Sequence, residues 1–241
     1  MKILALDSSG LVASVAVVEE NDGNQNLLAE YTVNYKKTHS QTLLPMLDEI
    51  VKMIELDLKS IDAIALAAGP GSFTGLRIGS ATAKGLGFAL EKQLIEIPTV
   101  DALAYNLYGT DRVICPLMDA RRNQVYTGIY EFCGGSLHVL EPQMAAGIEV
   151  IAGKLRALGR EVIFLGDGVP VFRKRLEEEL MAGEKFSFAP AHLNKQRAGA
   201  VGALALQYLK EGKTVSAAEH RPVYLRLSQA ERERLEKEKN T

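Results

Sequence analysis

One order of elements runs twice along this chain, and few folds accommodate such a repeat. In the first pass, Lys2 to Asp7, Val12 to Val18 and Leu27 to Val33 read as strands. The helical pattern His39 to Glu55 follows, then the apolar run Ile61 to Ala68, the helix Thr74 to Leu90 and the short strand Leu94 to Ile97, stopped by Pro98. In the second pass the strands are Val113 to Asp119, Val125 to Phe132 and Leu137 to Leu140. The helix Ile148 to Leu158, the strand Val162 to Leu165, the helix Val171 to Met181 and the strand Phe186 to Phe188 complete it. Each pass is β-β-β-α-β-α-β, and the repeat lies in element order rather than in residue identity. A small-residue helix, Arg197 to Glu211, and an extended segment, His220 to Leu227, come after. Pro222 suits that segment to a sheet edge. The expected division is an N-terminal half at 1–107, a C-terminal half at 108–227 and a solvated, charged tail at 228–241. The last helix is free to pack back on the first half.

Composition narrows the classes of function. With 241 residues, 47% of them hydrophobic and 24% charged, the chain reads as soluble and globular. A net charge of -2 supplies no basic stripe for nucleic acid, so any RNA contact is expected through another subunit. Cys115 and Cys133 lack zinc spacing and read as reduced core thiols. His39, His138, His192 and His220 show no helical metal spacing, and each reads as a surface or capping residue. No apolar run reaches the roughly 18 residues of a membrane helix, and no signal-peptide pattern precedes the first strand. A cytoplasmic location is expected.

The densest local signal is Ala67 to Gly79, AAGPGSFTGLRIG. A buried strand breaks at Gly69, Pro70 and Gly71, and Ser72 or Thr74 caps the helix that follows. Strand, glycine turn and helix N-terminus together make a familiar anion-binding geometry. The run is nevertheless not a Walker A loop, because Leu76 and Arg77 follow Gly75 where lysine and Ser/Thr are required. Nor does it have dinucleotide-fingerprint spacing, and Ser72 is not at a nucleophile elbow. Asp7, Ser8 and Ser9 form the first β-turn, and Asp119 to Asn123 form its counterpart, with Arg121 and Arg122 where glycines would open backbone N–H groups to a phosphate. Gly166, Asp167 and Gly168 make a third turn. Turn and cap chemistry accounts for Asp7 and Asp119 better than a phosphate role does.

Apolar positions cover about half the circumference of the first helix, more than the roughly 100° of an ordinary surface helix. The stripe Leu44, Leu47, Val51 and Ile54 is expected to face the sheet, leaving Leu43, Met46, Ile50 and Met53 at its edge. The second helix is rich in glycine and alanine, which suits the close approach of another backbone.

A duplicated β-β-β-α-β-α-β unit is the plan of the actin-like, ribonuclease-H-type ATPase superfamily, an α/β fold whose nucleotide lies between the halves. Within it, GPGSFTGLRIG, ILALDSS, HSQTLLP, MDARRNQVYTGIY and PVYLR resemble the bacterial TsaB (YeaZ) family of tRNA threonylcarbamoyladenosine biosynthesis proteins, over residues 1 to 227. That resemblance implies a non-catalytic scaffold for the catalytic subunit TsaD, with the ATPase TsaE, in making the N6-threonylcarbamoyladenosine of tRNAs reading ANN codons. It implies a homodimer when the chain is alone and tRNA contact that is indirect. It implies a partner interface of Leu43, Met46, Leu47, Ile50, Met53 and Ile54 on the first helix and Phe73, Leu76, Arg77, Ser80 and Lys84 on the second. It leaves a vestigial nucleotide cleft at Asp7, Ser8, Ser9, Gly69, Gly71, Ser72, Asp119, Arg121 and Gly166. Lining up Pro98 with the catalytic relative puts Asp101 and Tyr105 at the positions of its metal-binding histidines. No metal site and no cofactor are therefore expected in this chain; ATP and a divalent metal are expected in the partner subunits. Two further readings are an ATP-dependent phosphotransferase using Asp7 and a peptidase, the second without a nucleophile–base pair to support it.

Overall fold

The computed structural model describes residues 1–35 and 38–226. The expected charged tail at 228–241 lies outside the described residues, as does Leu227.

Strands β1 (Lys2–Asp7), β2 (Ala13–Asn21) and β3 (Asn24–Val33) lead into α1 (His39–Met53), β4 (Ala63–Gly69), α2 (Phe73–Leu90), β5 (Gln93–Pro98) and α3 (Thr99–Tyr105). The second half comprises β6 (Val113–Asp119), β7 (Gln124–Cys133), β8 (Ser136–Gly147), α4 (Ile148–Leu158), β9 (Val162–Leu165), α5 (Val169–Arg175) and β10 (Phe186–Phe188). Helix α6 (Ala198–Lys210) follows. The two five-stranded sheets have the orders β3-β2-β1-β4-β5 and β10-β9-β6-β7-β8. Reversing the second gives the same topology, so the repeat in element order is a repeat in three dimensions, and the fold is actin-like.

Central strands explain their own sequences. KILALD in β1 runs parallel to β4 on one side and antiparallel to β2 on the other, so both faces are buried and the run is almost wholly apolar. Alternation sorts the side chains by size. Leu4, Leu6, Ile64 and Leu66 face α1 and α2, whereas Ile3, Ala5, Ala63, Ala65 and Ala67 face α6. Small residues on that face match Gly202 of α6, where a Cβ would meet Val18 Cγ2 at 2.6 Å. Helix α6 therefore packs against the first sheet, and its N-terminus is capped from that sheet: Ala198 N donates to Ser14 Oγ (2.9 Å) and Gly199 N to Glu30 Oε1 (2.9 Å). Helix α3 packs on β6, β7 and α6, with Val100 and Leu103 in the core of the second sheet.

Several expectations change. Helix α3 has no counterpart in the sequence reading. β8 extends to Gly147, well past Leu140. Pro142 is tolerated there because β8 is an edge strand. The helix expected at Val171 to Met181 ends as a regular helix at Arg175 and continues as a π-helical turn, Leu176–Leu180. That widening carries both Leu176 and Met181 into the core, closed by Met181 N to Leu176 O at 3.0 Å. Cys115 is buried, but Cys133 is exposed and is no core thiol. His220 is neither a surface nor a cap residue: its ring is wholly buried and Nδ1 lies 2.5 Å from Glu96 Oε1.

Helix α1 is rotated from the expected orientation. Leu43, Met46, Leu47 and Ile50 pack on the sheet, and Leu44 is 53% exposed. The polar arc of Thr42, Asp48, Glu49, Lys52 and Glu55 lies opposite Leu43 and Ile50 at 100° per residue, which identifies the buried stripe more reliably than counting apolar positions.

Candidate functional site

The two halves meet at a cleft between the C-terminal ends of their central strands. A cavity of about 250 Å3 there is lined by Ser9, Gly10, Gly71 and Ser72 from the first half and by Asp119, Ala120, Arg121 and Asp167 from the second. Five of the expected cleft residues, Ser9, Gly71, Ser72, Asp119 and Arg121, meet here. Asp167 lines the cavity where Gly166 was expected, and Asp7, Ser8, Gly69 and Gly166 form its supporting structure instead.

Those supporting contacts show what the glycines are for. Ser72 N donates to Ser9 O (2.7 Å) and Ser8 Oγ to Gly75 O (2.9 Å). A Cβ at Gly75 would be driven into the Ser8 carbonyl oxygen, and one at Gly71 into that of Ser9. The glycine turn and the start of α2 thus lie directly on the Asp7–Gly10 turn, backbone against backbone. Ser72 is the N-cap, its Oγ accepting from Gly75 N at 3.2 Å. Gly69, at φ +122°, closes the end of β4, and its N–H goes to Thr99 Oγ1 (3.1 Å).

The acids at the two strand ends do the same local work. Asp7 Oδ1 accepts from Ser9 N (2.8 Å) and Ser9 Oγ (2.6 Å). Asp119 Oδ1 accepts from Arg121 N (2.8 Å), so both are Asx turns at equivalent places in the repeat. Ala120 N is bound by Gln124 O (3.0 Å), Gly168 N by Leu117 O (2.8 Å) and Asp119 N by Asp167 Oδ1 (3.2 Å). Backbone donors on both walls, those of Ser9, Ser72, Ala120, Arg121 and Gly168 among them, already have partners within the chain. Arg121, Arg122 and Asn123 all adopt left-handed φ (64°, 54° and 58°), so this turn keeps a glycine-like conformation without glycine. At about 250 Å3 the cavity is smaller than the roughly 300–1,000 Å3 of ordinary small-molecule sites. Asp101 and Tyr105 stand on α3; Tyr130 Oη donates to Asp101 Oδ1 at 2.8 Å, and Tyr105 packs on Tyr108 and Phe132.

Burial pushes the Asp7 carboxyl from 3.8 up to about 6, against the opposing pull of the Ser9 hydrogen bonds and of nearby His39. A carboxyl raised in the folded state stabilises the fold only while it holds its proton. That contribution is complete below about pH 4 and is lost as pH rises through 6. Asp7→Asn keeps an acceptor for Ser9 and removes the titration. It is expected to match wild type near pH 4 and to exceed its stability at pH 7.5 by about 3 kcal/mol, read by urea denaturation at both pH values. A difference independent of pH would rule out this titration.

The residues expected at a partner interface divide sharply. Leu43, Met46, Leu47, Ile50, Leu76 and Ser80 are buried in the chain's own core and present nothing outward. Ile54, Phe73 and Lys84 are half-buried, while Met53 and Arg77 are exposed. Two large apolar side chains missing from that set, Leu44 of α1 and Phe88 of α2, stand 53% and 61% exposed, and Ala81 and Gly85 beside Phe88 are exposed too. Among the described residues, no group of three or more His, Cys, Asp or Glu side chains is placed to hold a metal ion.

Comparison with known proteins agrees with this architecture. The TsaD family model, described as tRNA N6-adenosine threonylcarbamoyltransferase, matches residues 26–234. The tRNA threonylcarbamoyladenosine biosynthesis protein TsaB of Bacillus subtilis is 31% identical over 99% of this chain and 100% of that protein. The chain belongs to the TsaB family. TsaB of Escherichia coli is 32% identical over 94% of this chain and 95% of its own length. YeaZ from Pseudomonas aeruginosa superposes with a TM-score of 0.77 at 28% identity, covering 93% of this chain and 99% of that one. Family membership spans both halves, so the cleft and the α1–α2 surface both belong to the shared fold.

Proposed function

We propose that this chain is a non-catalytic subunit in tRNA threonylcarbamoyladenosine biosynthesis, supporting a TsaD-type catalytic subunit on tRNAs that read ANN codons. The observation that carries this reading is the state of the cleft. Asp7 and Asp119 are committed to their own turns and Asp167 to the Asp119 backbone, several cleft backbone donors are bound within the chain, and α1 and α2 turn large apolar side chains outward. ATP and a divalent metal then belong to the partner subunits, TsaD and TsaE, and tRNA reaches this chain only indirectly. Alone, the chain pairs with itself through the same helices. Exposed Leu44 and Phe88, rather than the buried residues of these helices, form the docking surface, and Met53 lies half a turn around α1 from Leu44, outside it.

Leu44→Glu and Phe88→Glu test the proposal. Both sites are exposed, so thermal stability is expected to stay within about 0.5 kcal/mol of wild type. Co-elution with purified TsaD is expected to be lost, together with the chain's stimulation of tRNA modification. Intact co-elution of both folded variants would sink the proposed surface.

A further inference from the structure

The segment beyond α6 returns to the first half and then crosses the cleft. Val215 and Leu94 exchange backbone hydrogen bonds, each 2.9 Å, and His220 anchors against Glu96. From there Pro222 to Arg226, the PVYLR run, passes over the glycine turn. Val223 N donates to Ala68 O at 2.7 Å, and the Val223 carbonyl sits where a Cβ on Gly69 would otherwise lie. Tyr224 stacks on Phe73 with ring centroids 4.5 Å apart, and Arg77 lies 4.0 Å from the same Phe73 ring. Arg226 then leaves the first half altogether. Its guanidinium donates to the carbonyl of Ala120, at the start of the left-handed turn that lines the far side of the cleft.

We infer that Pro222–Arg226 is a latch that sets the aperture of the cleft. One end is fixed to the glycine turn and α2 by Val223 and Tyr224; the other holds the second-half turn by Arg226. Other ties between the halves run through α3 and the segment before α6, where Tyr130 meets Asp101, Asn106 Nδ2 donates to Leu193 O (3.1 Å) and Lys195 O (2.7 Å), and Arg197 pairs with Glu30. At the cleft, Gln196 packs against Gly10 while Gly166 N donates to Asn194 O (2.8 Å), and the latch adds a second tie. The Ala120–Asn123 turn holds three consecutive non-glycine residues in a sparsely populated conformation, so it depends on outside contacts to persist. Arg226 supplies such a contact, and moving this turn away from the glycine turn requires that Arg226 let go. This role rests on geometry within the chain and stands whether or not the α1–α2 surface binds a partner.

Hydrogen–deuterium exchange on the full-length chain tests it. In Arg226→Ala, the amides of Ala120, Arg121 and Gln124 are expected to exchange at least about tenfold faster, the signature of a turn that opens locally. Helices α2 and α4 are expected to keep wild-type rates. Arg226→Lys retains a donor and is expected to recover most of the protection. Tyr224→Ala, which frees the latch upstream, is expected to speed exchange at the same three amides. Unchanged rates in Arg226→Ala would overturn the latch. So would acceleration spread equally over α2 and α4, which marks general destabilisation, or equal acceleration in the alanine and lysine variants.

Discussion

Met46→Glu is expected to unfold this protein rather than to detach a partner from it. Met46 is only 4% exposed and packs among Leu43, Leu47 and Ile50 against the first sheet. Removing a buried methionine costs about 2–5 kcal/mol, and a carboxylate placed there meets no cation among the described core residues around it. A combined loss of roughly 4 kcal/mol or more is a large share of a typical stability of about 5–15 kcal/mol. The introduced carboxylate has its pKa raised by burial, so its penalty is smaller at pH 4 than at pH 8. Urea denaturation at the two pH values checks both magnitude and sign. Met53→Glu, seven residues or about two helical turns further along, is the control: Met53 is 75% exposed, and its midpoint is expected to stay near that of wild type. A midpoint for Met46→Glu within error of wild type would show that α1 is free to turn its Met46 face outward. The pair separates two explanations that co-elution alone confuses, because an unfolded subunit also fails to bind.

This distinction marks where sequence reading stopped. Strands such as KILALD and AIALAA, and helix Ile148–Leu158 with Gly159 in the left-handed conformation after it, announce themselves through local patterns: unbroken apolar runs, a 3.6-residue period and a terminal glycine. The doubled order followed from them. Helix α3 was not legible, because seven residues are too few to show a period and Val100, Ala102, Leu103 and Ala104 are all buried, leaving no polar face. The orientation of α1 was legible in principle through its charged arc, yet its wide apolar circumference admitted two stripes. The cleft was the least legible part. Asp7, Ser72 and Asp119 were found by their places at strand ends and turns. Whether their neighbours' hydrogen bonds point outward or inward depends on contacts such as Ser72 to Ser9, and Arg226 to Ala120, between segments far apart in the chain. No periodicity encodes those.

Gly75→Ala and Gly85→Ala make the same change in one helix and are expected to move stability in opposite directions. Alanine is favoured over glycine inside a helix by about 1 kcal/mol, and Gly85 has open space around the position a Cβ would take. Gly85→Ala is therefore expected to stabilise the protein by about 0.5–1 kcal/mol. At Gly75 the same methyl group runs into the Ser8 carbonyl oxygen, which is backbone and cannot rotate away. That backbone is pinned in turn by Ser8 Oγ on Gly75 O and by Ser72 N on Ser9 O. Relief requires the whole N-terminus of α2 to lift from the Asp7–Gly10 turn, and with it Ser72 and the near wall of the cleft. Overpacking of this kind costs about 1–3 kcal/mol where side chains yield and more where backbone must, so a net loss of roughly 3 kcal/mol is expected. Denaturation midpoints of the two variants against wild type decide the matter. If Gly75→Ala were as stable as Gly85→Ala, the close approach of the two turns would not constrain the fold, and the glycine-rich run would need another explanation, with a ligand in the cleft the first to test. If the signs differ as expected, the glycines of this turn serve the chain's own backbone.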